Sequence, residues 1–177
     1  PPLPYPAVLD LQDLRYAWPG AGVDCLRIPR LHIAAGRTVF LHGPSGCGKS
    51  TLLGLLAGVL LAQQGRVSLL GQDWSAIPGG ARDKRRADHV GVVFQQFNLL
   101  PYLSVLDNVL LPCGFSALRA ARTGASATER QDSARRLLAG LDLAEPLWHR
   151  PAGALSVGQQ QRVAAARALL GRPELVI

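Results

Sequence analysis

The sequence predicts an α/β fold built on a parallel sheet, with a β-rich beginning and a helical insertion, and three observations carry that prediction. Apolar runs of strand length alternate with leucine-rich helical stretches, a glycine-rich loop joins one such strand to one such helix, and residues 104–150 read as helices alone. The 177 residues are 48% hydrophobic and 18% charged, enough for one domain with a real core and too apolar for disorder.

Taken in order, Ala7 to Leu14 alternates Val8, Leu9, Leu11 and Leu14 loosely with polar residues and leads to the turn Trp18-Pro19-Gly20, which predicts a strand. Cys25 to Ile33 has the same character. After Ala35-Gly36, the run Thr38-Val39-Phe40-Leu41 is β-branched or apolar throughout and predicts a buried parallel strand. The glycine-rich loop follows, then a helix from Ser50 to Leu61, and Gly65 opens a short strand over Val67 to Leu70. Ala81 to Asp88 is dense in charge and predicts a solvated helical or loop face, while Val90 to Phe94 predicts another buried strand with Gln95 at its C-terminal end.

Ser104 with Asp107 is a cap signal for one helix and Ser126 with Glu129 a capping box for another, and the second of these helices sets Ala134, Leu137, Leu138 and Leu141 on one face. Between them Arg119 to Thr128 reads as a small-residue, basic linker. A last helix spans about Gly158 to Leu170, and Pro173 to Ile177 begins a further strand. The expected division of the single domain, 1–177, is a β and phosphate-loop core over 1–103, a helical subdomain over 104–158 and a return to the core over 159–177.

Composition excludes several classes. The longest apolar stretch, Leu52 to Ala62, is interrupted by glycines and too short to cross a bilayer, and Pro1-Pro2-Leu3-Pro4 lacks the parts of a secretory signal, so a cytoplasmic location is expected. Cys25, Cys47 and Cys113 are odd in number with no C-x-x-C spacing, which argues for reduced thiols rather than a disulfide framework or a zinc site. The formal charge of +7 comes from 19 basic against 12 acidic residues. The basic run Arg82, Lys84, Arg85, Arg86 has no interleaved aromatics and reads as a solvated face, so no nucleic acid is expected.

Gly43-Pro44-Ser45-Gly46-Cys47-Gly48-Lys49-Ser50 fits G-x-x-x-x-G-K-S between a predicted strand and a predicted helix, the context that motif requires. Glycines at 43, 46 and 48 let the backbone wrap a polyphosphate so that successive N–H groups and the helix N-terminus face anionic oxygens. Lys49 adds a compact positive charge between the β and γ phosphates, the Ser50 hydroxyl enters a magnesium shell, and Thr51 adds a contact to the α phosphate. Cys47 has no histidine partner in view and reads as a small spacer.

Leu155-Ser156-Val157-Gly158-Gln159-Gln160-Gln161-Arg162-Val163 precedes an amphipathic helix in which Val163, Ala166 and Leu170 share a face. Alone, these residues make an ordinary helix start with Ser156 as N-cap. The order of phosphate loop, Gln95 after a strand, helical insertion and Leu-Ser-Val-Gly-Gln resembles the ATP-binding subunit of an ABC transporter over nearly the whole chain. That resemblance implies a P-loop NTPase fold with an ABC-type core: a parallel sheet, an N-terminal antiparallel β part and a helical insertion. It implies ATP and Mg2+ as cofactors and an ATPase that powers transmembrane permease subunits from the inner face of the plasma membrane.

By the same resemblance Leu155, Ser156, Val157, Gly158 and Gln159 form the signature motif, which completes the ATP site of a second ATP-binding subunit in a homodimer. Val157 stands where the family has glycine; a backbone there needing a glycine-only conformation would weaken that trans site. Gln95 matches the glutamine that reaches magnesium and the attacking water, and the segment from it to Pro101 follows the permease. Trp18, with Tyr16 as second choice, matches the aromatic that stacks on adenine. Val92 to Pro101 and the signature run are most similar to the lipoprotein-release and macrolide-export branch.

The family's magnesium aspartate and catalytic glutamate follow the strand begun by Leu175, Val176 and Ile177, and its switch histidine lies farther on. The resemblance therefore assigns no catalytic base within residues 1–177, gives none of His32, His42, His89 or His149 that role, and implies that these residues alone are inactive and poorly soluble. Two other classes share the motifs: a soluble ABC ATPase of DNA repair or translation, and a non-hydrolysing nucleotide-binding module.

Overall fold

The computed structural model describes residues 7–177 of the chain, which divides into two compact units between Arg86 and Ala87. In the first unit, β1 (Ala7–Tyr16) pairs antiparallel with β2 (Leu26–Ala34). On its other edge β1 pairs antiparallel with β3 (Gln64–Leu69), which carries the short β4 (Gln72–Asp73), giving the order β2-β1-β3-β4. Leu9, Leu11, Leu14 and Tyr16 are buried, so the inward positions change from one parity to the other along a single strand. Asp13, at φ 49°, makes that change, and the β1–β3 register shifts between Gln12 and Arg15. The bulge thus keeps Leu9, Leu11, Leu14 and Tyr16 all facing the core, and it explains the loose alternation of the sequence.

Helix α1 (Lys49–Leu56) buries Thr51, Leu52, Leu55 and Leu56. It stops short of the predicted Leu61 because Gly58 takes φ +69° and the ring of Trp74 lies where a Cβ would stand. The buried Trp74 indole N–H donates to the Leu56 carbonyl at 3.1 Å, satisfying one of the groups a helix end leaves unpaired. Helix α2 (Gly79–His89) buries no residue, as its dense charge predicts.

The buried strand expected at Thr38 to Leu41 is not formed: these residues are irregular, and Phe40 is 87% exposed. A strand apolar on both sides needs ladder partners and cover on both faces, and among the described residues no strand pairs with it.

In the second unit β5 (Val90–Gly91) runs parallel to β6 (Leu175–Val176), and the pairing is extended by Ile177 N–H to Gly91 at 2.9 Å and Val93 N–H to Ile177 at 2.7 Å. The strand predicted over Val90 to Phe94 is therefore shorter, with Phe94 exposed. Four helices follow: α3 (Val105–Phe115), α4 (Ala117–Thr123), α5 (Ala127–Gly140) and α6 (Val157–Leu169). Their common core includes Val105, Val109, Ala134, Leu138, Val163, Ala166 and Leu170, with Leu137 and Leu141 packed against it.

Ser104 and Ser126 cap α3 and α5, accepting from the N–H of Asp107 at 3.0 Å and of Glu129 at 3.1 Å. The Glu129 carboxylate accepts from Ala125 N–H, one residue before the cap. The linker expected at Arg119 to Thr128 is a correction, since its first half is α4. Ser116 caps that helix, and Arg119 is 4% exposed with its guanidinium on the carbonyls of Arg167, Ala168 and Leu170. An arginine looks like solvent in a sequence, but here it closes the C-terminal end of α6.

Glu174, at the approach to β6, accepts from Arg122 at 2.7 Å and lies 2.8 Å from His89 Nδ1. Burial pushes its carboxyl up, but the Arg122 and His89 hydrogen bonds and the His89 charge outweigh this and hold it at about 2. With the folded value below the ordinary 4.5, the stabilisation is fully present above about pH 4.5 and is lost as pH falls towards about 2. Denaturant midpoints measured across that window should fall more steeply for the wild type than for Glu174→Gln; parallel curves would show that this carboxylate is not linked to folding.

Candidate functional site

The glycine loop and α1 are built so that main-chain N–H groups stay available. Gly46 and Gly48 have φ +82° and +93°, and Gly48 is the N-cap of α1. No side chain caps that helix, so its first turn keeps N–H groups that suit anionic oxygens. A Cβ on Gly48 would stand 2.7 Å from Leu26 Cδ2 and 3.3 Å from Cys25 Sγ, so the start of β2 walls the loop. The Lys49 ammonium lies across the loop, donating to the carbonyls of Gly43 at 2.6 Å and Pro44 at 2.7 Å.

Pro44, Ser45, Cys47 and Ser50 are exposed, with Cys47 Sγ 3.7 Å from Lys49 Nζ. Thr51 is buried, its hydroxyl 3.9 Å from Cys25 Sγ. In the same unit Trp18 is 46% exposed while Tyr16 is buried beneath it, the rings 5.4 Å apart and edge to face. The Gln63 amide clasps the intervening residue, donating to Ala17 O and accepting from Ala17 N–H, both at 2.8 Å. Of the two aromatics, Trp18 alone offers an open face.

The remaining candidates belong to the second unit. Gln95 is exposed in a turn closed by Phe97 N–H on Phe94 O at 2.9 Å. Phe97 and Asn98 take φ 59° and 47°, and their carbonyls accept from Arg167 at 2.6 and 2.7 Å. Burial lowers the Arg167 pKa from the ordinary arginine value. Farther on, buried Asn108 accepts from Leu100 N–H at 2.8 Å and donates to the carbonyls of Leu100 and Ser104, both at 3.0 Å, and of Leu103 at 3.3 Å. Neither Arg167 nor Asn108 was singled out by sequence. An asparagine that begins the apolar run Val109-Leu110-Leu111 of α3 is the signal that marks Asn108; Arg167 carries none.

Leu155 is buried and Ser156 begins α6 with a complete capping box: Ser156 Oγ accepts from Gln159 N–H at 3.3 Å and Gln159 Oε1 from Ser156 N–H at 2.9 Å. Val157 is the first residue of the helix and is not among the positive-φ residues, so no glycine-only conformation is needed there. Of the basic run, Arg85 donates to Leu69 O at 2.7 Å and Arg86 to Asp83 at 2.9 Å, which spends two of its four cations internally. No helix among the described residues is long and apolar enough to cross a membrane.

Fold and loop together define a mixed α/β protein of the phosphate-loop nucleotide-binding class. Residues 26–177 match the family model described as ABC transporter. An ABC transporter ATP-binding protein of Mycobacterium bovis is 45% identical over 171 residues, 96% of this chain and 49% of the relative. The ABC transporter ATP-binding protein YbbA of Escherichia coli is 48% identical over 146 residues, 82% of this chain and 60% of YbbA.

Among solved structures, the dimeric bacterial ABC transporter cassette MJ0796 superposes with a TM-score of 0.82 at 34% identity, over 95% of this chain and 72% of that one. The same cassette is also known in a dimeric post-hydrolysis state with ADP and Pi. CbiO1 of Clostridium perfringens, part of the ABC transporter complex cbiONQ, gives a TM-score of 0.77 at 25% identity, over 96% of this chain and 64% of that one. The chain belongs to the ABC transporter family, on the side of its ATP-binding proteins. It spans about half the length of the curated relatives it matches.

Gly48→Ala tests the loop's backbone demand. A non-glycine residue in the left-handed region costs about 1–2 kcal/mol, and the methyl must also displace Leu26. Denaturation should show a loss of that order, and an unchanged stability would mean that the loop does not need this conformation.

Proposed function

We propose that the chain is the ATP-binding part of an ABC transporter ATPase, and that its loop grips the triphosphate of Mg–ATP. The observation that carries this is the uncapped start of α1 behind left-handed Gly48, with the Lys49 ammonium resting on loop carbonyls that a phosphate can replace as partners. Gly43 to Thr51 surround the phosphates, and Trp18 stacks on adenine. By the family resemblance, the exposed Ser50 hydroxyl and the exposed Gln95 amide oxygen are the groups that would hold the Mg2+ that accompanies the phosphates. The metal supplies charge neutralisation at the β and γ oxygens.

The Leu155–Gln159 segment faces the nucleotide of a second subunit, offering a serine hydroxyl and the positive end of α6. The MJ0796 cassette is dimeric and cbiO1 works within a transporter complex, which supports reading permease subunits as the partners at a membrane's inner face. The run from Val92 to Pro101 supports the lipoprotein-release and macrolide-export branch. By the family resemblance, the carboxylates that place magnesium and water follow the strand of Leu175 to Ile177, so residues 1–177 by themselves bind without hydrolysing. A nucleic-acid role draws no support from a basic run half spent on internal partners.

Lys49→Ala should weaken ATP binding by roughly 10–100-fold, the value of one charge-assisted contact, while the variant still folds. Titration calorimetry decides. Equal affinities for wild type and variant would remove the loop from the nucleotide site.

A further inference from the structure

We propose that Arg167 is a positioning residue for Gln95: from the last turn of α6 its guanidinium holds the two carbonyls that follow the Gln95 turn, and so fixes where the glutamine side chain points. The inference rests on the reading of Gln95 as a magnesium-side residue, and it adds to that reading the group that holds it in place.

The turn is closed by Phe97 N–H on Phe94 O at 2.9 Å and Asn98 N–H on Gln96 O at 2.7 Å, but neither bond engages the carbonyls of Phe97 and Asn98. Gln95 and Gln96 are its central residues, and it leads directly into Phe97 and Asn98 at φ 59° and 47°. The left-handed region is disfavoured for Phe97, though asparagine tolerates it at 98, so a contact from outside the turn that holds this pair adds to its local bonds. Arg167 supplies it with both prongs of one fork, Nη2 on Phe97 O at 2.6 Å and Nη1 on Asn98 O at 2.7 Å. No carboxylate within ion-pair distance competes for this guanidinium among the described residues. A lysine, with one point charge on a flexible stem, does not reproduce a planar fork.

The clamp is itself anchored. Buried Arg119 donates to the Arg167 carbonyl at 3.0 Å and to Ala168 O at 2.9 Å, fixing the turn of α6 from which the fork extends. Beyond Asn98, the Asn108 amide holds both main-chain groups of Leu100 at 2.8 and 3.0 Å. The backbone between the Gln95 turn and Leu100 is thus tied at both ends, leaving Gln95 exposed on a fixed base. The same α6 carries the Ser156 capping box at its other end, so one helix carries both segments.

The test compares Gln95→Ala, Arg167→Met, Arg167→Lys and the Gln95→Ala/Arg167→Met double variant with the wild type. ATP affinity is measured with Mg2+ and in EDTA, and hydrogen exchange is followed at residues 94–100 without nucleotide. Arg167→Met should speed exchange of the Phe97, Asn98 and Leu100 amides by about tenfold or more, the value of losing one to two charge-assisted bonds, while α3 and α6 stay protected. It should lose the same part of the magnesium-dependent gain in ATP affinity as Gln95→Ala, with no further loss in the double variant and no change in EDTA. Arg167→Lys, which keeps stem and charge, should share the exchange defect and decides the matter if Arg167→Met does not fold. Unchanged exchange at 94–100, an equal loss of affinity with and without Mg2+, or additive losses in the double variant would each overturn the proposal. If the wild type binds no ATP, the nucleotide reading fails, and the exchange arm still decides whether the clamp exists.

Discussion

Every main-chain N–H and C=O that leaves a helix or a ladder must find another partner, and this constraint organises the second unit more than any single apolar contact does. Its two-strand sheet is short, and long stretches of it are irregular. Three polar side chains meet the demand: Arg119 on the end of α6, Arg167 on Phe97 and Asn98, and Asn108 on Leu100, Leu103 and Ser104. Burying such groups is costly unless each is fully paired, and the pairing here is with backbone carbonyls rather than with carboxylates. The result is irregular chain whose carbonyls are paired much as those of regular structure are.

The phosphate loop is the deliberate opposite. There the backbone is turned by left-handed Gly46 and Gly48, the helix start has no side-chain cap, and the lysine leans on the loop's own carbonyls. Groups left without an internal partner at an exposed helix start are open to water or to an anion, which is what the proposed phosphate site uses. The contrast between a second unit in which carbonyls are tied down and a loop in which amides are left free separates scaffold from site without reference to any relative.

Much of this was legible in the sequence. The glycine spacing of the loop, the serine caps at 104, 126 and 156, and the shared face of Ala134 and Leu138 all follow from local chemistry, and the structure carries each of them. What local patterning misses depends on distant partners. Thr38 to Leu41 has the composition of a central strand, but composition does not supply the neighbouring strands that a ladder requires. Arg119 and Arg167 have the appearance of surface charge because an arginine's destination is set by which carbonyls the fold leaves open. The parity change in β1 lay in plain view as Leu9, Leu11, Leu14 and Tyr16, yet reading it as a bulge needs the left-handed Asp13.

The departure at Val157 takes its meaning from the same backbone logic. A valine would matter most if the position required left-handed backbone, and it does not, since it is the first residue of an α-helix. The capping box occupies the N–H groups of Ser156 and Gln159, which leaves those of Val157 and Gly158 without a cap partner at the positive end of α6. Valine at this place therefore preserves the donors and differs from glycine only in the bulk beside them, an exposed apolar side chain at the start of α6. Whatever the substitution alters, it acts through the shape presented to a partner and not through the conformation of the chain that presents it.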